Sequence, residues 1–143
     1  MVLSETAKRL MREHKLQHTT ARKRLPPTRA GMTKKSYGCG FKFWTTVNFY
    51  EDTGLPGEVF VAIAKEGSDI AGLVDSVCIT LSIALQYGVP WDVLREKYKF
   101  MRFGASTADE DENPSIIHAI AVSIDDIVQE KHSQLALNKS ADE

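Results

Sequence analysis

The longest regular pattern of apolar positions in the chain begins at Ser68 and ends near Gly88. With a helical rotation of about 100° per residue, its apolar side chains gather in an arc of about 140°, which is typical of an amphipathic helix packed on a core. Ser68 is a suitable N-cap, and Gly88 followed by Pro90 ends the helix and starts the next one. The opposite side, with Ser82 and Gln86, is weakly polar, so it either packs on another surface or faces solvent. The core-facing arc consists of Ile70, Leu73, Val74, Val77, Cys78, Leu81, Ala84 and Leu85.

Two strands are predicted before this helix. From Tyr37 to Tyr50 apolar and polar residues alternate, which indicates a strand whose odd-numbered residues face the helices. A loop rich in glycine and proline follows, so residues 59–64 return as an antiparallel partner. The even-numbered face carries Trp44 and Tyr50 beside Lys42. Such aromatic side chains either form cross-strand pairs or stack on nucleic-acid bases.

Three further helices are predicted outside this central part. They cover residues 4–16, residues 91–99, and a segment that starts with Asn113 as the cap and Pro114 in the first turn. The isoleucines of the last helix form a second apolar arc of about 140°, and His118 falls on its polar, solvated side.

The region between the first helix and the strands is predicted to be an irregular basic linker, because residues 18–36 contain adjacent prolines and many Lys and Arg side chains.

The predicted sheet has only two strands, and an isolated two-stranded hairpin is marginally stable. Either residues 32–35 add a strand, or two copies of the chain join their sheets as a homodimer. The fold class is therefore α+β: an antiparallel β-hairpin or small sheet packed against three helices, with an N-terminal helix and a basic linker. We assign residues 1–36 to the helix and linker, 37–132 to the α+β domain, and 133–143 to a frayed C-terminal tail.

The composition, with 43% hydrophobic and 26% charged residues in 143, is that of one globular domain. Because no apolar run reaches the roughly 20 residues that span a bilayer, we expect no membrane partner and a cytoplasmic location. The net charge of −1 divides into +9 over residues 1–42 and −10 over residues 43–143. Such a basic arm either contacts an anionic partner such as nucleic acid, or folds back on its own acidic body or on an identical subunit.

Two sets of residues are candidates for anion binding. Gly67 and Ser68 at a helix start, with Lys65 nearby, form a candidate phosphate site, although capping alone explains the same residues. The cations of the basic arm form a candidate nucleic-acid surface, and these are Arg22, Lys23, Arg24, Arg29, Lys34 and Lys35. Neither Cys39 nor Cys78 belongs to a metal-binding spacing, so no metal site, cofactor or catalytic residue is predicted. Cys78 is expected to be a buried apolar residue.

Several segments, taken in order, resemble the TSCPD domain, which is found near the C-terminus of adenosylcobalamin-dependent ribonucleotide reductases. The resemblance covers roughly residues 24–128, and it is carried by Gly38–Lys42 with Thr46-Val47, Gly54–Phe60, Lys65–Ser68, Leu81–Pro90, Arg102-Phe103 and Ser123–Asp125. The Thr-Ser-Cys-Pro-Asp sequence that gives the family its name does not occur in this sequence, and neither do the cysteine-rich tail or the barrel of the reductases. Reductase chemistry needs a radical-forming cysteine and a reducing cysteine pair, which two separated cysteines do not provide.

The resemblance therefore implies a non-catalytic accessory or regulatory module related to ribonucleotide reductase and deoxyribonucleotide synthesis. Such a module would bind a reductase chain or a nucleotide, with Lys65, Gly67, Ser68 and Arg102 as phosphate contacts. The alternative is a nucleic-acid-binding protein that uses its basic N-terminal arm. An independent enzyme is a third hypothesis, for which we find no catalytic combination of residues in the sequence.

Overall fold

The computed structural model describes residues 2–17, 21–64, 67–104 and 113–142, without the side chains of residues 14–17. The predicted α+β class is confirmed. The elements in chain order are α1 (Glu5–Gln17), β1 (Gly31–Gly38), β2 (Phe41–Phe49), β3 (Pro56–Ile63), α2 (Asp69–Gln86), α3 (Trp91–Tyr98) and α4 (Ile116–Ala141).

The sheet has three antiparallel strands in the order β1-β2-β3. The third strand is the one predicted around residues 32–35, so the assignment of residues 31–36 to an irregular linker is wrong. The predicted strand 37–50 is also divided in two, because Cys39 and Gly40 both have positive φ angles, 52° and 77°. Two such residues form the tight turn that joins β1 to β2 with a matching twist. Since the chain supplies its own third strand, the fold does not require the homodimer, which stays a prediction.

The core lies on one face of the sheet, and the predicted orientation of β2 is confirmed. Phe43 and Val47 are fully buried, and Val59 of β3 is buried beside them. α4 crosses β1 and β2 on this face, α2 runs along β3, and α3 packs on α4. The opposite face of the sheet carries Trp44 and Phe60, and Phe60 is 49% exposed. Tyr50, predicted to lie on that outer face, is buried instead.

The buried side of α2 differs from the predicted arc by a rotation of about 70°. Leu73, which was placed in the core, is 65% exposed, whereas Ser82 and Gln86 are buried. Of the two interpretations of the weakly polar side, packing on another surface is the correct one for these two residues. The physical reason is that β3 needs polar partners for its backbone, as described below.

The ends of α4 also differ from the prediction. Its N-cap is Ser115, whose hydroxyl accepts a hydrogen bond from the His118 amide at 3.1 Å, so the helix begins two residues after the predicted cap and proline. The helix continues to Ala141, whereas we predicted fraying from Ser133. No glycine or proline interrupts residues 133–141, so nothing in the local sequence breaks the helix.

Among the described residues, α2 is the one helix that is long and apolar enough to cross a membrane, with 18 residues and a mean hydropathy of 1.5. The criterion uses only length and composition, and the core helices of soluble proteins also meet it. In this fold the helix packs along β3, and a third of its residues are buried.

Candidate binding site

α2 supplies polar side chains to the outer edge of β3. The Ser82 hydroxyl accepts a hydrogen bond from the Val59 amide at 2.9 Å and donates one to the Val59 carbonyl at 3.3 Å. Four residues further along the helix, the Gln86 side-chain amide donates to the Gly57 carbonyl at 3.0 Å. Because an unpaired strand edge exposes backbone groups that need partners, these bonds explain why polar residues lie on the buried side of α2.

The spacing of these contacts follows from the geometry of the two elements. Four helical residues advance by about 6 Å and two strand residues by about 6.6 Å, so every fourth side chain of α2 meets every second residue of β3. Cys78, one step before Ser82, accordingly makes a hydrogen bond with the backbone of Val61. Burial raises the pKa of Cys78 to about 12, and the nearby Asp75 adds to this effect. The thiol is therefore protonated at neutral pH, and the prediction of a buried Cys78 is confirmed.

The chain before the sheet is tied to the end of α2. The Gln86 side-chain oxygen accepts a hydrogen bond from Arg22 Nε at 2.7 Å, and the Lys23 amide donates to the Gln86 carbonyl at 2.9 Å. The Tyr50 hydroxyl donates to the Lys23 carbonyl, and the Lys23 ammonium lies 4.6 Å from the centre of the Tyr50 ring. This part of the predicted linker therefore has a fixed place beside the C-terminus of α2.

Both carboxylate oxygens of Glu58 are bonded to donors on neighbouring side chains. Its carboxylate accepts two hydrogen bonds from Arg29, at 2.7 and 2.9 Å, and one from the Asn48 side-chain amide at 2.9 Å. A two-pronged contact of this kind is the strongest common arrangement of an arginine and a carboxylate. The negative charge of Glu58 is thus balanced by Arg29.

Three of the six cations predicted to bind nucleic acid pair with carboxylates of the acidic body. The pairs are Lys23–Asp52 at 2.7 Å, Arg29–Glu58 at 2.7 Å and Lys34–Asp126 at 2.5 Å. For these three side chains the basic arm folds back on its own body, which was one of the open interpretations. Lys35 instead lies over the ring of Tyr37, with its ammonium 5.6 Å from the ring centre.

A cavity of about 570 Å³ lies between α2 and the outer face of β2 and β3, and we call it the β3–α2 cleft. Its apolar wall includes Trp44 and Phe60 from the sheet and Ile79 and Ile83 from the helix. At one end Arg22, Glu58 and Gln86 also line a smaller cavity of about 130 Å³. This second cavity, the arginine notch, has Arg22, Arg24 and Arg29 in its wall.

Sequence reasoning identified Trp44 and the arginines separately but not the cleft that unites them. Ile79 and Ile83 belong to α2 and follow Trp44 by more than thirty residues in the sequence. The arginines and the aromatic residues, both assigned to the nucleic-acid hypothesis, therefore line two cavities that share Arg22, Glu58 and Gln86.

The predicted phosphate site at the start of α2 is only partly described. Lys65 lies outside the described residues. The Ser68 hydroxyl accepts a hydrogen bond from the Ala71 amide at 3.3 Å, which is the capping role, and Gly67 has a φ of 72° in the preceding turn. Arg102 is exposed beyond α3. None of the described residues of this set lines the β3–α2 cleft, and their phosphate role stays a prediction.

A second surface feature lies where the chain leaves α3. Phe100, Met101 and Phe103 are 77%, 42% and 45% exposed, and we call these three side chains the Phe100 patch. Phe100 has a φ of 65°, which is uncommon for a large side chain. Its amide donates a hydrogen bond to His118 Nδ1 at 2.7 Å, and the Phe103 amide donates to the Pro114 carbonyl at 3.3 Å.

His118 is buried, so its predicted solvated position is wrong. Burial lowers the pKa of His118 below its ordinary value of 6.5, and the positive charge of Lys99 lowers it further. The neutral imidazole is the form that accepts the hydrogen bond from Phe100. The helical pattern could not show this, because the partner comes from another segment.

Asp125 fixes α3 on α4 behind this patch. Its carboxylate accepts hydrogen bonds from Trp91 Nε1 at 3.1 Å, Arg95 at 3.1 Å and Lys99 at 3.3 Å. Burial alone raises the pKa of Asp125, but the hydrogen bonds from these three donors outweigh it and hold the pKa below its ordinary value. The carboxylate is therefore ionised at neutral pH.

In the described ranges no group of three His, Cys, Asp or Glu side chains is close enough together to hold a metal ion.

The elements and their order define a small α+β domain, with an antiparallel three-stranded sheet flanked by helices. The chain belongs to the TSCPD domain family, whose model matches residues 14–128. The resemblance inferred from the sequence is thereby confirmed.

The curated proteins that the chain resembles are much longer than it is. It is 45% identical over 89 residues to a vitamin B12-dependent ribonucleotide reductase of Rhodopirellula baltica. The aligned region covers 62% of this chain and 8% of that protein. Proteins with the same name from Streptomyces clavuligerus and Streptomyces coelicolor are each 37% identical, over 78% and 82% of this chain and 12% of theirs. The chain thus spans about a tenth of the length of these relatives. No solved structure matches it.

Proposed function

We propose that this protein is a non-catalytic accessory module of ribonucleotide reduction that binds a ribonucleotide reductase chain. The support from the comparisons is kinship: the relatives named as vitamin B12-dependent reductases contain a segment like this one within a much longer protein. Because the segment is covalently joined to the rest of the reductase in these relatives, a reductase chain is the partner we propose.

The observation that carries the proposal is the Phe100 patch. Large apolar side chains on neighbouring surface residues are a common mark of protein interfaces. The hydrogen bond from the Phe100 amide to His118 holds Phe100 at its positive φ angle, with the side chain largely in solvent and therefore accessible to a partner. Arg102 lies between Met101 and Phe103, and it belongs to a segment that matches the family. Arginine beside aromatic residues is a composition enriched in binding interfaces.

The test is binding of the purified chain to the vitamin B12-dependent ribonucleotide reductase of Rhodopirellula baltica, measured by biolayer interferometry. We expect binding, and we expect the double variant Phe100→Ser/Phe103→Ser to weaken it at least about tenfold, because large aromatic anchors each contribute on the order of 1–2 kcal/mol. The matched control is Leu137→Ser, which removes a side chain that is 69% exposed on the last turns of α4. Absence of binding, or equal loss in the control, contradicts the proposal.

The nucleic-acid alternative is examined in the same instrument with a 20-nucleotide single strand. Since three of the six arm cations are paired within the protein, we expect a dissociation constant no tighter than about 10⁻⁶ M at 0.15 M salt. Tighter binding that is lost in Arg22/Lys23/Arg24→Ala would assign the function to the basic arm instead.

A further inference from the structure

We infer that the β3–α2 cleft is a binding site for a nucleoside phosphate, with the phosphates in the arginine notch and the base in the apolar groove. This site is separate from the Phe100 patch, so the inference goes beyond the proposed binding of a reductase chain. It also differs from the predicted phosphate site at the start of α2.

The charge of the arginine notch favours an anion. Arg29 and Glu58 neutralise each other through their two-pronged contact, which leaves Arg22 and Arg24 as an excess of two positive charges. Arg22 is oriented by the hydrogen bond from its Nε to Gln86, and this bond leaves its two terminal nitrogens for other acceptors. Arg24 makes no hydrogen bond or ion pair within the described part of the chain. Guanidinium groups suit phosphate oxygens, which accept two parallel hydrogen bonds from them.

The groove beside the notch favours a flat apolar group. Trp44 and Phe60 come from adjacent strands and project from the outer face of the sheet, and Ile79 and Ile83 of α2 line the groove with them. Rings of this kind provide stacking surfaces for bases. The volume of about 570 Å³ is within the ordinary range for small-molecule sites.

The far end of the groove offers a hydrogen-bond acceptor to a ligand. Asp75 lines the groove as an exposed side chain that makes no hydrogen bond or ion pair within the described residues, so its solvated carboxylate is available to a donor group. The amino and hydroxyl groups of a nucleoside donate to a carboxylate, whereas an alkyl chain does not. Asp75 and Gln86 are eleven residues apart on α2, so the two ends of the groove are about 16 Å apart, room for a nucleotide.

The test is thermal unfolding and isothermal titration of the full chain with ATP, adenosine and sodium tripolyphosphate. We expect ATP to raise the melting temperature by several degrees when present far above its dissociation constant, and adenosine or tripolyphosphate to produce smaller shifts. Because Arg24 would donate charge-assisted hydrogen bonds to the phosphates, Arg24→Gln is expected to weaken ATP binding at least about tenfold. Trp44→Leu is expected to weaken ATP and adenosine binding together.

The control is Lys139→Gln, which removes one exposed positive charge from the last turn of α4, away from both cavities. We expect this variant to bind ATP with an affinity within about twofold of the natural protein, since a distant exposed charge is screened. The inference is wrong if ATP causes no shift at millimolar concentration, if tripolyphosphate alone reproduces the shift, or if Lys139→Gln weakens binding as much as Arg24→Gln. Reductase binding through the Phe100 patch is measured independently, so either idea can fail alone.

Discussion

The Ser82 hydroxyl contacts both backbone groups of Val59, at 2.9 Å to the amide nitrogen and 3.3 Å to the carbonyl oxygen. A serine on a helix here takes the place of a neighbouring strand. With Gln86 on Gly57, the contact closes the edge of β3, which would otherwise be open to pairing with another chain. It also fixes which side of α2 faces the sheet, and therefore which apolar residues of α2 line the β3–α2 cleft.

Removal of this hydroxyl should destabilise the fold. In Ser82→Ala the buried amide and carbonyl of Val59 lose their partner, so we expect the free energy of unfolding to fall by about 1–3 kcal/mol in urea denaturation. The matched control is Ser76→Ala on the exposed side of the same helix, where the hydroxyl bonds only to the Gly72 carbonyl. The control should change stability by less than about 0.5 kcal/mol. Equal effects of the two substitutions would show that the bonds from Ser82 to Val59 do not stabilise the fold more than an exposed serine does.

Stability should decrease as the solution becomes mildly acidic, because of His118. Burial and the charge of Lys99 lower its pKa in the folded state, so below the unfolded value of 6.5 the unfolded chain binds a proton that the folded chain does not. The stabilising contribution of the neutral form is thus complete above pH 6.5 and is lost as the pH falls below it. Urea midpoints measured between pH 7.5 and 5.0 check this.

The control for the pH dependence is His118→Asn, whose side-chain oxygen accepts the Phe100 amide without titrating. We expect this variant to lose most of the decline between pH 6.5 and 5.0, and a decline equal to that of the natural protein would contradict the assignment to His118. Because the same hydrogen bond holds Phe100, binding through the Phe100 patch should also weaken at low pH in the natural protein and not in the variant.

Asp125 should be the most sensitive carboxylate of the helical layer. In Asp125→Asn the cations Arg95 and Lys99 lose their counter-charge, and we expect a loss of about 1–3 kcal/mol, reduced from the cost of a deeply buried pair because the arginine is partly in solvent. Since the pKa of Asp125 is lowered in the folded state, its contribution is present above pH 3.8 and is lost as the pH falls through the folded value.

Asp92→Asn is the matched control for Asp125, because Asp92 also pairs with Arg95, at 3.2 Å, but is 73% exposed. An exposed pair of this kind contributes about 0–1 kcal/mol, so the loss should be small. Thermal or urea unfolding of both variants at pH 7 compares them. A larger loss in Asp92→Asn would show that Asp125 does not fix α3 on α4.

Local patterns in the sequence determined the elements and much of their orientation. The alternation along β2 predicted the buried side of Phe43 and Val47, and Ser68 and Gly88 marked the ends of α2. Such features depend on neighbouring residues and on a fixed period, so they can be recognised without knowledge of the rest of the chain. The order of the matching segments likewise predicted the family.

Only the tertiary structure decided how these elements meet. Apolar periodicity was compatible with several orientations of α2 on the sheet. The structure buries the side with Ser82 and Gln86, because these side chains bond to the backbone of β3, 23 to 29 residues earlier in the chain. The partner of Lys34 is 92 residues away, so the sequence could show a basic arm but not that this lysine is already paired. The burial of His118 and the formation of the β3–α2 cleft likewise depend on contacts between segments that are distant in the sequence. Hydrogen bonds, ion pairs and cavities join segments that no local period connects, and they exist only once the chain has folded.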